Sequence, residues 1–373
     1  MKRIKFFSYY GCLDLGKRRK SSPAADTKID YIVNVLNRLG YGVDIISRAP
    51  NSESHFVSAY VERKGINTYR YFASLGNTNF FLRLFDRFFL NIQFFLWSLF
   101  HLQKREQIIV YHSLGYDSIF IKLNYLKKIR IIGEVEEIYQ DVKQQVRRVC
   151  YNEYRFIGIC DKFIFPTHLL DQKLNVVHKP AVIIHGVYTI EPNVQEKFAD
   201  GKIHVVYGGT LDPNKGGAIA AATAAEFLPE NYHIHICGFG NPKQIITEIE
   251  RIQKKTKAKV TFEGEFKGDD YKRFIQKCHI GLSTQDPSAA FNNTSFPSKV
   301  LVYLSNGLKV VSVRIPVIEE SALVNQLVLY NKQTPKDIAE AILVASKSNI
   351  ENNYVLRNLD KQFEENLLSL ITR

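Results

Sequence analysis

Cysteine is scarce and scattered: Cys12, Cys150, Cys160, Cys237 and Cys278 are all that a chain of 373 residues contains. No Cys-x-x-Cys pair and no Cys/His cluster is visible in the spacing, which argues against a zinc ribbon or a disulfide framework. Buried, reduced thiols are expected instead, in a reducing compartment. Also missing is an Asp-x-Asp pair of closely spaced carboxylates. Neither GxxxxGK[ST] nor GxGxxG occurs. No apolar run is long and clean enough to span a bilayer, because the longest, Phe80 to Leu102, is broken by Arg83, Asp86, Arg87, Asn91 and Gln93. The opening residues Met1 to Phe7 are too short for a signal peptide and read as a buried strand.

What is present is ordinary globular material with a strong bias. Forty-five per cent of residues are hydrophobic, and the length is that of two domains. The net charge of +13 favours anionic partners: a nucleotide, a nucleic acid or the anionic face of a membrane. The basic residues form no aromatic-interleaved stripe of a known nucleic-acid module, so a nucleic-acid partner is not expected.

Apolar strand-like runs alternate with helical patterns. Ile4–Tyr10, a loop with Gly11, a helix carrying Ile29, Ile32, Val33, Leu36 and Leu39, and a strand at Val43–Ile46 make one βαβ unit. Residues 51–79 read as irregular, 80–102 as an aromatic helix and 140–159 as another helix. The alternation runs to about residue 185 and restarts near Lys202, with polar Glu191–Gly201 between. The expectation is therefore an α/β chain with parallel sheets in two domains, 1–185 and 186–352, facing each other across a cleft. A closing helix at 353–373 is expected to pack back onto the first.

Two stretches carry chemistry. A strand at Ile203–Tyr207 enters Gly208-Gly209-Thr210-Leu211-Asp212-Pro213-Asn214-Lys215-Gly216-Gly217 and then a helix. Glycines let backbone N–H groups approach a phosphate, and a helix start adds partial positive charge. The same loop also reads as a plain strand-to-helix turn with a solvated lysine. In Asn292-Asn293-Thr294-Ser295-Phe296-Pro297-Ser298-Lys299, Ser295 is placed to cap a helix and Lys299 to lie in its first turn. A cation there opposes the helix dipole unless an anion sits opposite.

Together these stretches resemble the C-terminal domain of GT-B-fold glycosyltransferases of the family 4 type, the glycosyl transferases group 1. Gly209, Leu211, Lys215 and Gly216 match that family's G-x-L-x-x-x-K-G loop; Pro297, Ser298, Lys299, Tyr303, Gly307 and Val310 match its later block. Phe262-Glu263-Gly264-Glu265-Phe266 looks like its base-contacting turn. The resemblance implies GT-B architecture, two Rossmann-like doubly wound domains with an interdomain cleft, and metal-independent, retaining transfer of a sugar from a nucleotide-diphosphate donor. It places Gly11, Gly209, Thr210, Lys215, Gly238, Phe266, Asn292, Asn293, Thr294, Ser298 and Lys299 at the donor. It places Glu134, Glu136 and His112 on the acceptor side as catalytic candidates, with no metal ligands and no cofactor. The acidic run at 134–137 also reads as a helix N-terminus favoured by the dipole, and His112 as a satisfied strand-end histidine.

The chain departs from the family where two glutamates usually stand, at Thr294 and Val302, and at Thr210, where many members have arginine. A nucleotide-sugar epimerase of the same fold and a non-catalytic partner of an active transferase stay open on these residues. A glycan or lipid-linked acceptor, a role in polysaccharide biosynthesis, and a cytoplasmic place at the inner membrane face are expected. On the aromatic helix, Leu82, Phe85, Phe89, Ile92, Leu96 and Leu99 read as the core stripe; Phe81, Leu84, Phe88, Phe95 and Trp97 are more than one core face needs.

Overall fold

The computed structural model describes residues 1–11, 17–76, 78–142, 146–192, 195–212, 217–349 and 353–373. The chain forms two compact units, Met1–Ile184 with Phe363–Arg373, and His185–Gln362.

The first unit holds strands β1 (Lys2–Ser8), β2 (Tyr41–Ser47), β3 (Tyr60–Lys64), β4 (Asn67–Tyr71), β5 (Gln107–Tyr111), β6 (Arg130–Glu134), β7 (Lys162–Phe165) and β8 (Ala181–Ile183). Among the described residues they form one sheet in the order β3-β4-β2-β1-β5-β6-β7-β8, parallel except for the β3–β4 hairpin. Its helices are α1 (Pro23–Arg38), α2 (Phe80–His101), α3 (Asp117–Lys127), α4 (Tyr139–Val142), α5 (Arg147–Ile159) and α6 (His168–Leu174). The second unit holds β9 (Ile203–Thr210), β10 (Tyr232–Phe239), β11 (Lys259–Gly264), β12 (Ile280–Ser283), β13 (Lys309–Val313) and β14 (Leu327–Tyr330). They form an all-parallel sheet in the order β11-β10-β9-β12-β13-β14. Its helices are α7 (Gly217–Thr223), α8 (Lys243–Gln253), α9 (Gly268–Gln276), α10 (Ser298–Ser305), α11 (Pro316–Glu319) and α12 (Pro335–Lys347), followed by α13 (Asn353–Thr372).

The second sheet has the 3-2-1-4-5-6 order of dinucleotide-binding folds, with its switch point between β9 and β12. In the first sheet the order reverses between β1 and β5. The central strands are buried along nearly their whole length, as strands covered on both faces must be. The end of α13 is part of the first unit: Phe363 stacks on Tyr31 at 5.9 Å, and Lys162 Nζ donates to the Leu370 carbonyl at 2.6 Å.

Several local readings change. Residues 51–79 are not irregular throughout, since they contain the β3–β4 hairpin, turned at Gly65 with φ +58. Its edge strand is mostly solvent-facing, so no apolar alternation marks it. The helix expected at 140–159 is two pieces, α4 and α5. The aromatic helix is present but rotated. Its buried face carries Asp86, Leu90, Phe94 and Ser98, while Phe85 is 64% exposed and Ile92 41%. Polar Asp86 belongs inside because its carboxylate accepts from the Ser74 hydroxyl (2.8 Å) and the Leu75 N–H (2.7 Å). No helix among the described residues is long and apolar enough to cross a membrane.

Candidate functional site

Side chains gather at the switch point of each unit. In the second, β9 and β10 stay paired to their last residues, Gly238 with Gly209 and Phe239 with Thr210. Both glycines have positive φ, +156 and +155. A Cβ on Gly238 would collide with the Gly209 carbonyl, and one on Gly209 would fall 2.5 Å from Lys299 Cε. Glycine at 209 thus makes room for the lysine. Lys299, in the first turn of α10, lies 4.3 Å from the Tyr207 ring centroid and donates to the Tyr207 hydroxyl at 3.2 Å. The Tyr303 hydroxyl accepts from the Gly208 N–H at 2.9 Å, and the Thr284 hydroxyl donates to the Gly217 carbonyl at 2.7 Å. The result is a strand end lined by bare backbone with one ammonium held against it.

The donor candidates do not all play one part. Lys215 lies outside the described residues, as do Pro213, Asn214 and Gly216. Thr210 turns its hydroxyl to the Asp212 N–H at 3.2 Å. Asn292 is fully buried; its amide accepts from Gln285 and donates to the Asp286 carbonyl, so it shapes the loop before α10. Asn293 and Ser298 are exposed, Thr294 is buried, and Phe266 stacks on Phe274 at 4.6 Å. Ser295 does not cap α10: the helix starts at Ser298 with Pro297 before it and no side-chain cap, because proline offers none. Gly11 belongs to the first unit, where its N–H donates to Asp26 (3.1 Å) and its carbonyl accepts from Tyr71 (2.9 Å).

In the first unit, Glu134 ends β6 and Glu136 follows two residues on. Buried Lys28 of α1 joins them, 3.3 Å from Glu134 and in direct contact with Glu136. One ammonium faces two carboxyls, Glu134 fully buried and Glu136 partly exposed. Burial, then the charge of Glu136, pushes Glu134 well above the ordinary carboxylate range. Burial acts on Glu136 too, but Lys28 outweighs it and holds that carboxyl below its usual value. The two neighbouring carboxyls are thus pushed in opposite directions, Glu134 toward holding a proton and Glu136 toward ionisation. The His112 ring does not join them: 2% exposed, it stacks on Phe156 and lies 3.7 Å from Asp117 and from Glu153.

Above the β1 and β5 ends opens a cavity of about 490 Å³, lined among others by Tyr9, Lys20, Ser21, Tyr111, Ser113 and Glu137. A second, of about 270 Å³, shares Tyr9 and Lys20 and adds Arg48, Arg83 and Arg87. Sequence reading missed Lys28, though a signal existed. With Tyr31, Ile32 and Val35 it falls at i, i+3, i+4 and i+7 on the buried face of α1. It also missed a convergence of histidines: His204, His233 and His235 bring ring nitrogens within 4.8 Å of one another. The expected lack of a Cys/His cluster is corrected accordingly. The spacing hid it because two strands contribute.

Two Rossmann-like units with side chains collected at their switch points define the GT-B class of α/β proteins. Residues 202–347 match the Glycosyl transferases group 1 family, so the second unit carries a domain of that family. An E. coli trehalose-6-phosphate structure bound with UDP-2-fluoro glucose is similar at TM-score 0.69 and 12% identity, over 99% of this chain and 98% of that one. A UDP-forming α,α-trehalose-phosphate synthase from Burkholderia xenovorans gives 0.66 and 13%, over 99% and 96%. A trehalose-6-phosphate synthase studied for glycosyl transfer with retention gives 0.62 and 11%, over 98% of each chain. Among curated proteins none matches by sequence.

Proposed function

We propose that this chain is a glycosyltransferase that takes a nucleotide-diphosphate sugar at the β9–β10 end and passes the sugar, with retention and without a metal ion at the diphosphate, to a lipid-linked glycan. The observation that carries the donor reading is Lys299, held by Tyr207 against the Gly209 backbone at the switch point. A diphosphate there gains a charge-assisted contact, and the leaving group keeps it as charge develops. Lys215 is proposed as a second cation on the same group. With Thr294 and Val302 in place of glutamates, ribose is held by neutral groups or backbone.

The lipid reading rests on α2. Phe81, Phe85, Phe88 and Phe100 are each at least 64% exposed, and Leu84, Ile92 and Leu96 extend that face. A water-exposed apolar face of this extent marks a binding surface. The cavity beside its inner side is lined by Lys20, Arg48, Arg83 and Arg87 with only Asp86 in opposition. Arg48, 3% exposed, spends its hydrogens on Asn91, Tyr9 and the Arg87 carbonyl rather than on a carboxylate. Apolar face plus basic cavity fits an anionic lipid surface and a phosphate-bearing acceptor. In the Lys28 cluster, the ionised Glu136 would orient the acceptor hydroxyl, and Glu134 would hold a proton beside it.

Isothermal titration with UDP, GDP, ADP and CMP tests the donor reading, and the absence of binding by any of them removes it. Product analysis with and without acceptor separates transfer from epimerisation. Donor hydrolysis by the isolated protein separates an enzyme from a silent partner.

A further inference from the structure

Three histidines that the donor end does not use meet on one face of the second sheet. His204 stands near the start of β9 and pairs in register with His233 of β10; His235 follows two residues later on the same face. All three are buried, with 2%, 7% and 4% exposure. Ring centroids lie 3.9 Å apart for His233–His235 and 5.1 Å for His204–His235.

The hydrogen bookkeeping of this group does not close by itself. Asp200 meets His204 Nε2, His204 Nδ1 meets His235 Nε2, and His235 Nδ1 meets Glu263, each at 2.8 Å. A carboxylate only accepts, so each outer contact uses the single hydrogen of a neutral imidazole. Three contacts share two hydrogens. His204 Nδ1 and His235 Nε2 are left facing each other as lone pairs, which repel unless a cation lies between them.

That cation is a shared proton or a metal ion, and His233 decides between them. A shared proton needs two nitrogens; a third buried imidazole drawn within 4.8 Å is what a metal needs. The outer partners fit as well. His204 is backed by Asp200, His235 by Glu263, and His233 Nε2 by the Thr261 hydroxyl at 2.8 Å. Metal-bound histidines are oriented by such partners on their other ring nitrogen.

We propose that His204, His233 and His235 bind one divalent transition metal of the zinc class through their ring nitrogens, with Asp200, Thr261 and Glu263 orienting them. Binding opens the 2.8 Å nitrogen pair to roughly 3.3 Å, the separation set by Zn–N bonds of ~2.0–2.1 Å in a tetrahedron. The site is distinct from the donor end: His204 is five residues before Gly209 on β9, roughly 16 Å along the strand. Its effect is to clamp β9 to β10 and couple metal occupancy to the folding of the second unit.

The test uses untagged full-length protein stripped with a chelator. Titration with Co²⁺ followed by visible absorption, and with Zn²⁺ by calorimetry, should show one ion per chain, intense low-coordinate Co²⁺ bands and a raised Tm. Thr261→Val should weaken Zn²⁺ about 10–100-fold, and His233→Ala by more. No uptake, or an affinity untouched by His233→Ala, overturns the proposal. Should that variant not fold, ring ¹⁵N shifts of the wild type decide. A proton shared by His204 and His235 that added Zn²⁺ does not displace overturns the site; metal-shifted nitrogens on all three rings establish it.

Discussion

At the scale of single residues, the two switch points differ in how they treat charge. Lys299 is half-buried over the Tyr207 ring and donates to the Tyr207 hydroxyl. Lys299→Ala should weaken nucleotide-diphosphate binding about ten- to hundredfold, from a charge-assisted contact of ~1.5–3 kcal/mol, without unfolding the protein. Calorimetry with the nucleotide that binds wild type checks this, and an unchanged affinity speaks against the donor site. Glu134 makes a pH prediction. Its folded pKa lies above the unfolded one, so the stability it contributes is complete below the ordinary carboxylate pKa and declines as pH rises toward the folded value. Glu136 has the opposite sign, its contribution being lost as pH falls. Glu134→Gln keeps the buried neutral shape without the ionisation. Its urea midpoint relative to wild type should therefore rise as pH goes from about 5 to 8. A gap that stays constant with pH contradicts the upward shift of Glu134.

At the scale of elements, α2 and the β9–β10 end each turn one local rule into a consequence. Apolar residues on both sides of α2 marked the helix, but the stripe read from them as core, from Leu82 to Leu99, is not the one that faces in. The hydrogen bonds of Asp86 settled which one faces in. Phe85→Ser with Phe88→Ser should therefore leave the thermal midpoint within a few degrees and sharply reduce flotation with anionic vesicles at low salt. Equal flotation of variant and wild type removes the membrane reading. At the other element, Gly238→Ala places a methyl on the Gly209 carbonyl at a positive φ. A loss of about 1–3 kcal/mol of stability is expected, together with weakened nucleotide binding; chemical denaturation and calorimetry measure the two.

At the scale of the molecule, the end of the chain completes the unit that its beginning starts. Phe363, Leu367 and Leu370 are buried, and Lys162 and Gln107 donate to the carbonyls of Leu370 and Ile371. Leu367→Ala should cost about 2–5 kcal/mol, the usual range for a leucine deleted from a core. Because that loss falls in the first unit, nucleotide affinity at folded conditions should change little. A matching fall in affinity would show that the second unit's site depends on the first.

The alternation of strands and helices, the restart near residue 202 and the glycine-rich strand end were all legible in the order of residues, because period, propensity and turn chemistry act over a few positions. Gly209, Tyr303 and Lys299 could be picked out, although not the reason for Gly209, which is the lysine lying where its side chain would be. The pairing of Lys28 with Glu134 and Glu136, the inward turn of Asp86, and the meeting of His204 with His233 and His235 were decided only by tertiary structure. Each joins residues from separate elements, and burial sets the charge state and the hydrogen count only after the strands have been brought side by side.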